Sequence, residues 1–182
     1  MNKDREKIYS MAKIALCVSV LSLVSWIAIP LPMTPVVLSF QTVAVGLTAL
    51  ILSPLQTAWA MILYLFMGAL GLPVFSGGTA GVGKLFGVTG GFYFGFLISA
   101  VIVSLLKGKE ISLKRYTAIL SGIALPIQHL CGIIMMCIHN GFDVKAAFMS
   151  VSVPFIAVDL MKAMGAAILA TAINKAERHT QS

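Results

Sequence analysis

Residues 146–173 read AAFMSVSVPFIAVDLMKAMGAAILATAI, an apolar run of 28 residues interrupted by two charges, Asp159 and Lys162. A bilayer-spanning helix needs about 20 such residues, with a range of roughly 17–25, so length and composition predict a membrane helix. Each charge costs about 2.5–3.5 kcal/mol at the centre of a spanning helix. Their i, i+3 spacing puts both on one helix face, close enough to pair. Pairing lowers the desolvation cost and rarely cancels it. Two costly side chains on one face therefore point either to an interior cavity that uses them or to an ion pair that only locks helix packing.

The rest of the chain has the same character. Of 182 residues, 59% are hydrophobic and only 10% are charged, and the mean hydropathy is +0.98. Soluble domains carry roughly 25% charged residues, so a water-facing surface of ordinary composition is excluded. The expected architecture is an all-α integral membrane protein, a single membrane domain over 1–182 with six transmembrane helices. The expected spans are about 12–29, 35–52, 55–70, 90–106, 116–138 and 146–173. The Pro30-Leu31-Pro32 break and Ser53-Pro54 punctuate the first three, and Pro126 predicts a kink in the fifth that neighbouring helices tolerate. Loops 30–34, 71–89 and 139–145 then share one face. No removable signal peptide is read at the start, because the polar opening leads into a segment long enough to stay in the membrane.

Lys and Arg fix the expected orientation. The amino terminus, the 107–115 loop and the carboxyl terminus carry Lys3, Arg5, Lys7, Lys13, Lys107, Lys109, Lys114, Arg115, Lys175 and Arg178, against Lys84 and Lys145 on the other side. The positive-inside rule makes both termini cytoplasmic. The net charge of +7 is then topological, and nucleic acid is not needed as a partner.

Between the third and fourth spans, Gly78-Thr-Ala-Gly-Val-Gly-Lys-Leu85 nearly spells a phosphate-binding loop. That motif requires a preceding β-strand and a Ser or Thr hydroxyl for Mg²⁺; a membrane helix comes first here, and the last position is Leu85. The match is accidental. The glycines either join two helices flexibly or bring backbone N–H groups close to a ligand, and irregular backbone at membrane depth belongs beside protein or a water-filled cavity.

Other polar residues are available to the same cavity: Gln41 beside Ser39 and Thr42, and Gln128 with His129 just after Pro126. His129 reads either as an interhelical hydrogen bond or as a ligand contact. No nucleophile with a base in reach and no metal-ligand spacing is present, so binding or transport is favoured over catalysis, with no catalytic residue, metal or cofactor expected. Cys17, Cys131 and Cys137 lie in apolar segments without framework spacing and read as free thiols.

Gly71-Leu-Pro-Val-Phe-Ser-Gly-Gly78, Gly87-Val-Thr-Gly-Gly-Phe-Tyr-Phe-Gly-Phe96, Asp159-x-x-Lys162 and the entry Pro35-Val-Val-Leu-Ser-Phe-Gln-Thr42 together resemble BioY, the biotin-binding S component of energy-coupling factor (ECF) transporters. The resemblance spans nearly the whole chain. Val37 and Val88 stand where the family often has Pro, and Thr79 where Asn or another small residue is common. The resemblance implies a substrate-capturing membrane protein without an ATPase of its own. ATP would be used by two cytoplasmic ABC-type ATPases, working through a transmembrane coupling subunit. Substrate would enter from outside and the loop between spans one and two would close over it.

Biotin offers two ureido N–H donors, a ureido carbonyl, an apolar ring and a carboxylate, and buried polar groups of a ligand must be paired. Asp159 is expected to accept from a ureido N–H, and Lys162 to donate to the ureido carbonyl or the carboxylate. Gln41, Thr79 and the backbone near Gly78 would complete the polar shell, with Phe75, Phe92 and Tyr93 as apolar walls or, alternatively, lipid-facing rings. Ala12, Ala15 and Ser19, continued by Ser22, form a small-residue stripe for the coupling subunit or for packing within the bundle; Leu16 interrupts the strict A-x-x-x-A pattern of the class. The remaining alternatives are an S component for a different vitamin, a solitary proton-coupled vitamin carrier, and an intramembrane enzyme using Asp159.

Overall fold

The computed structural model describes residues 3–32, 34–141 and 143–181; positions 33 and 142, within the expected loops 30–34 and 139–145, lie outside the described residues. The chain runs α1 (Lys3–Val24), β1 (Ala28–Pro30), β2 (Val37–Ser39), α2 (Gln41–Ile51) and α3 (Pro54–Ala69), then a 3₁₀ turn (Ser76–Gly78), α4 (Val82–Leu85) and α5 (Gly90–Leu106). It continues through α6 (Leu113–Ile119), a π-helical turn (Leu120–Ala124), α7 (Leu125–Asn140), α8 (Val144–Val151) and α9 (Ile156–Gln181). The fold is predominantly helical. Three helical stretches, Asp4–Val24, Leu113–His139 and Ile156–His179, are long and apolar enough to cross a membrane, and Gln41–Ile51, Pro54–Ala69 and Gly90–Leu106 are shorter apolar helices.

Three segments depart from the lengths read in the sequence. α1 stops at Val24, short of the expected 29, because the backbone turns at Ser25–Ile27 and residues 28–30 pair with 37–39 in an antiparallel hairpin. The second helix starts at Gln41, not near 35, since residues 37–39 are the returning strand. A short apolar run rich in Val does not distinguish strand from helix by periodicity. The run 146–173 is split at 152–155, where Pro154 has no N–H to continue α8, and α9 begins afresh at Ile156. In the fifth segment, Pro126 likewise leaves the Gly122 carbonyl without its helical donor. The chain there widens into a π turn instead of breaking.

Small residues set the closest packing. α5 lies against α7, and a side chain at Gly91 would overlap the Cys131 carbonyl, while one at Gly95 would sit 3.0 Å from Gln128 Cα. Tyr64 and Met61 of α3, Val45 and Leu50 of α2, and Ala166, Ala167 and Ala170 of α9 fill the centre. One end of the bundle gathers Tyr9 and Lys13 of α1, Glu177 of α9 and Lys107 after α5 around the end of α2. The opposite end carries the hairpin, the 3₁₀ turn and the start of α9.

Candidate functional site

At that second end a cavity of about 60 Å³ opens between the hairpin, α5, α7 and α9. Its polar centre is Asp159. Because Pro154 ends the previous helix, Asp159 falls in the first turn of α9, where the helix dipole favours a negative group. Both carboxylate oxygens are engaged: Lys162 Nζ donates to Oδ1 at 2.9 Å, and His129 Nε2 of α7 lies 3.1 Å from Oδ2. Asp159, Lys162 and His129 are 5%, 8% and 8% exposed. At such burial the charges depend on one another, since each partner removes part of the other's desolvation cost. Lys162 Nζ also sits 5.9 Å from the centre of the Phe40 ring, within cation–π range.

Gln41, Phe92 and Tyr93 line the same cavity. Gln41 is fixed at the start of α2: its Nε2 donates to Tyr64 Oη at 2.5 Å, Ser39 Oγ donates to its Oε1 at 3.3 Å, and Tyr64 Oη in turn donates to the Val74 carbonyl at 2.9 Å. Tyr93 Oη accepts from the Ser76 N–H at 3.3 Å, tying α5 to the 3₁₀ turn. The aromatic candidates at 92 and 93 therefore face inward.

Phe75, Gly78 and Thr79 do not reach the cavity wall. Phe75 is fully buried behind Tyr93, 4.4 Å between ring centres, and edge-on to Tyr64 at 5.6 Å. Gly68 leaves room for it, since a methyl group there would overlap its ring. Gly78 has φ of +70° and packs under Trp26, and Thr79 is exposed with Oγ1 donating to the Ser76 carbonyl. The apolar run around these residues hides a tight turn that puts alternate residues on opposite sides. Ala12, Ala15 and Ser19 share the exposed side of α1, away from the cavity.

Several lining residues were not chosen from sequence. Lys84, at the end of the four-residue helix α4, adds a second cation to the wall; in the sequence it reads only as a charge on the less basic side. Val36 comes from the hairpin and Phe155 from the turn before α9, and both depend on breaks that hydropathy smooths over. His129 makes the interhelical bond and lines the cavity as well.

A sequence profile of the BioY family matches residues 1–179. The chain belongs to the BioY family. It is 36% identical over 178 residues to the biotin transporter BioY2 of Lactococcus lactis subsp. cremoris, covering 96% of this chain and 94% of that one. It is also 36% identical over 154 residues to the biotin transporter BioY of Thermotoga maritima, covering 84% and 88%. The fold is similar to the crystal structure of the S-component for biotin from an ECF-type ABC transporter, with a TM-score of 0.85, 17% identity, and 96% and 95% of the two chains covered.

Proposed function

We propose that this protein is the substrate-binding S component of an ECF-type transporter and captures biotin for ATP-driven uptake. The observation that carries the reading is the buried Asp159–Lys162 pair on a cavity wall in a chain of the BioY family, whose relatives include biotin transporters. Asp159 accepts from a ureido N–H and Lys162 donates to the ureido carbonyl. Lys84, a separate cation on the same wall, takes the carboxylate, and Phe92 and Tyr93 flank the apolar ring. Gln41 serves the polar shell, which Gly78 and Thr79 support from the adjoining turn with Phe75 packed behind. Small-molecule sites usually measure about 300–1,000 Å³, so the hairpin at 28–39 shifts outward to admit the ligand and returns over it.

The membrane arrangement proposed is six spans, formed by α1, α2, α3, α5, α6–α7 and α9, in a prokaryotic cytoplasmic membrane. Both termini are cytoplasmic, on the end where Lys13, Lys107 and Arg178 meet. A transmembrane coupling subunit docks on the exposed Ala12–Ala15–Ser19 face of α1, and two ABC-type ATPases supply ATP hydrolysis, so this chain has no catalytic role and holds no cofactor.

Biotin binding by the purified protein tests the assignment. Asp159→Asn and Lys162→Ala each weaken binding by at least about tenfold, or about 1.4 kcal/mol, with thiamine and riboflavin failing to bind. Normal affinity in both folded variants would make the pair purely structural. Lys84→Gln weakens biotin more than it weakens biotin amide, which lacks the carboxylate charge.

A further inference from the structure

Beside the 60 Å³ cavity, sharing Thr42 and Asp159 with it, lies a second space of about 10 Å³ bounded also by Leu120, Ala124, Leu125, Gln128 and Ala163. One water molecule needs about 10–15 Å³ on this scale, with two to four polar partners. The apolar walls are nearly closed, with Leu120, Ala124, Leu125 and Ala163 between 3% and 9% exposed. Two polar atoms from this lining, Thr42 Oγ1 and Gln128 Oε1, are buried without a hydrogen-bond partner among the described residues.

The orientation of Gln128 follows from its neighbours. Ser99 Oγ donates to the Phe96 carbonyl at 3.3 Å, so it accepts from Gln128 Nε2 at 3.0 Å. The amide oxygen is then the end left without a donor. A buried acceptor in that condition costs about 1–3 kcal/mol, and most such groups in folded proteins are met by protein or ordered water. The wall contributed by Leu120 and Ala124 is the π-helical turn, a wider winding that often accompanies functional sites.

We infer that this space is a binding site for one structural water, which donates to Gln128 Oε1 and Asp159 and accepts from Thr42 Oγ1. The water ties α2, α7 and α9 together beside the ligand pair. Asp159 is thereby held from three directions: Lys162, His129 and the water. A metal cation is disfavoured, because Lys162 already brings a positive charge to the same carboxylate. The site itself does not depend on the identity of the ligand; its effect on affinity rests on the biotin reading.

A high-resolution crystal structure of the ligand-free protein decides the first part. The expected result is a single solvent peak at hydrogen-bond distance, roughly 2.6–3.2 Å, from Thr42, Gln128 and Asp159. Gln128 turned to a protein donor with no such peak, or a peak with metal-like oxygen distances, overturns the inference. Biotin binding by two variants decides the second. Ala163→Val fills the space and lowers affinity about tenfold, whereas Ala163→Ser, whose hydroxyl replaces the water, stays within about threefold of the parent. Equal affinities in both folded variants overturn the coupling; if Ala163→Val does not fold, Ala124→Val, on the same wall and away from the ligand cavity, replaces it with the same expectation. Failure of the parent to bind biotin removes the proposed ligand and leaves the crystallographic result standing.

Discussion

Two ion pairs stand beside two cavities at opposite ends of this bundle, and the larger cavity is the less informative. The groove between α1, α2 and α9 measures about 490 Å³, with Lys13 and Glu177 at one end and side chains such as Leu16, Val20 and Leu47 along it. The cavity at Asp159 measures about 60 Å³. Lys13 and Glu177 keep 24% and 22% of their side-chain surface exposed, whereas Lys162 and Asp159 keep 7% each. An exposed pair exchanges water for a partner of similar value. A buried pair has given up its water and depends on its partners. Volume alone therefore does not single out the candidate site; desolvated polar groups converging from several helices do.

The sharpest break of this comparison is to remove the cation at each end. Lys162→Met leaves Asp159 buried with His129 as its remaining side-chain partner among the described residues, and loss of one member of a buried pair costs about 3–5 kcal/mol. Lys13→Met removes a partner from a partly exposed Glu177, at about 0–1 kcal/mol. Thermal unfolding in one detergent, with both variants beside the parent, measures the difference. Similar small shifts in both would mean that burial does not separate the two pairs.

The same contrast explains how much of the molecule was legible from residues alone. Hydropathy located the apolar helical stretches because lipid-facing and core-facing positions are both apolar, and membership in the family followed from the ordered glycine and acid–base motifs. Hydropathy could not see the hairpin: Val36, Val37 and Leu38 suit a strand and a helix equally in an average over a window. Nor did it register Pro154, which moves Asp159 from mid-helix to the first turn of α9. The inward placement of Gln41, Asp159 and Lys162 was accessible because polarity within an apolar run is costly; that of Phe92 and Tyr93 was not, since an aromatic ring suits lipid and cavity alike. The outward Thr79 and the buried Phe75 were not, since their directions depend on Gly77 and Gly78, both at positive φ. Lys84 was visible only as a topological charge.

At the terminus-bearing end, Lys107 offers a middle-sized effect. Its Nζ donates to the carbonyls of Ala49, Leu50 and Leu52 at 3.3, 3.0 and 2.5 Å, joined by Ser104 Oγ on Leu52 and Asn174 Nδ2 on Leu50. These are the carbonyls that the end of α2 leaves without helical donors. Burial pushes the Lys107 ammonium down to about 8 from its usual 10.5, Lys13 adds repulsion, and Glu177 opposes both. Between about pH 8 and 10.5 the unfolded chain therefore binds more protons at this position than the folded one. Stability attributable to Lys107 rises with pH across that window and is flat below it. The difference in Tm between the parent and Lys107→Gln, followed from pH 7 to 10, shows that rise; a pH-independent difference would place Lys107 in water.

The smallest expected effect is the most demanding test of the exposed pair. Tyr9 Oη donates to Glu177 Oε1 at 2.7 Å, and Lys13 Nζ contacts the same oxygen. Burial raises the Glu177 carboxyl, and the hydrogen bonds from Lys13 and Tyr9, with the charges of Lys13 and Lys107, outweigh it and hold the group below its usual value. That stabilisation is present above the unfolded carboxyl pKa of 4.5 and fades as pH falls through the lower folded value. Glu177→Gln keeps an oxygen for Tyr9 and Lys13 and removes only the charge, so the stability change at pH 7 stays below about 1 kcal/mol. It shrinks further at 1 M salt, where the screening length is about 3 Å. Because the Glu177 charge raises the Lys107 ammonium, the same variant moves the onset of the Lys107 stability rise below pH 8. A salt-insensitive loss of several kcal/mol, with that onset unmoved, would mean that Glu177 acts through packing and that the two ends differ less than their burial implies.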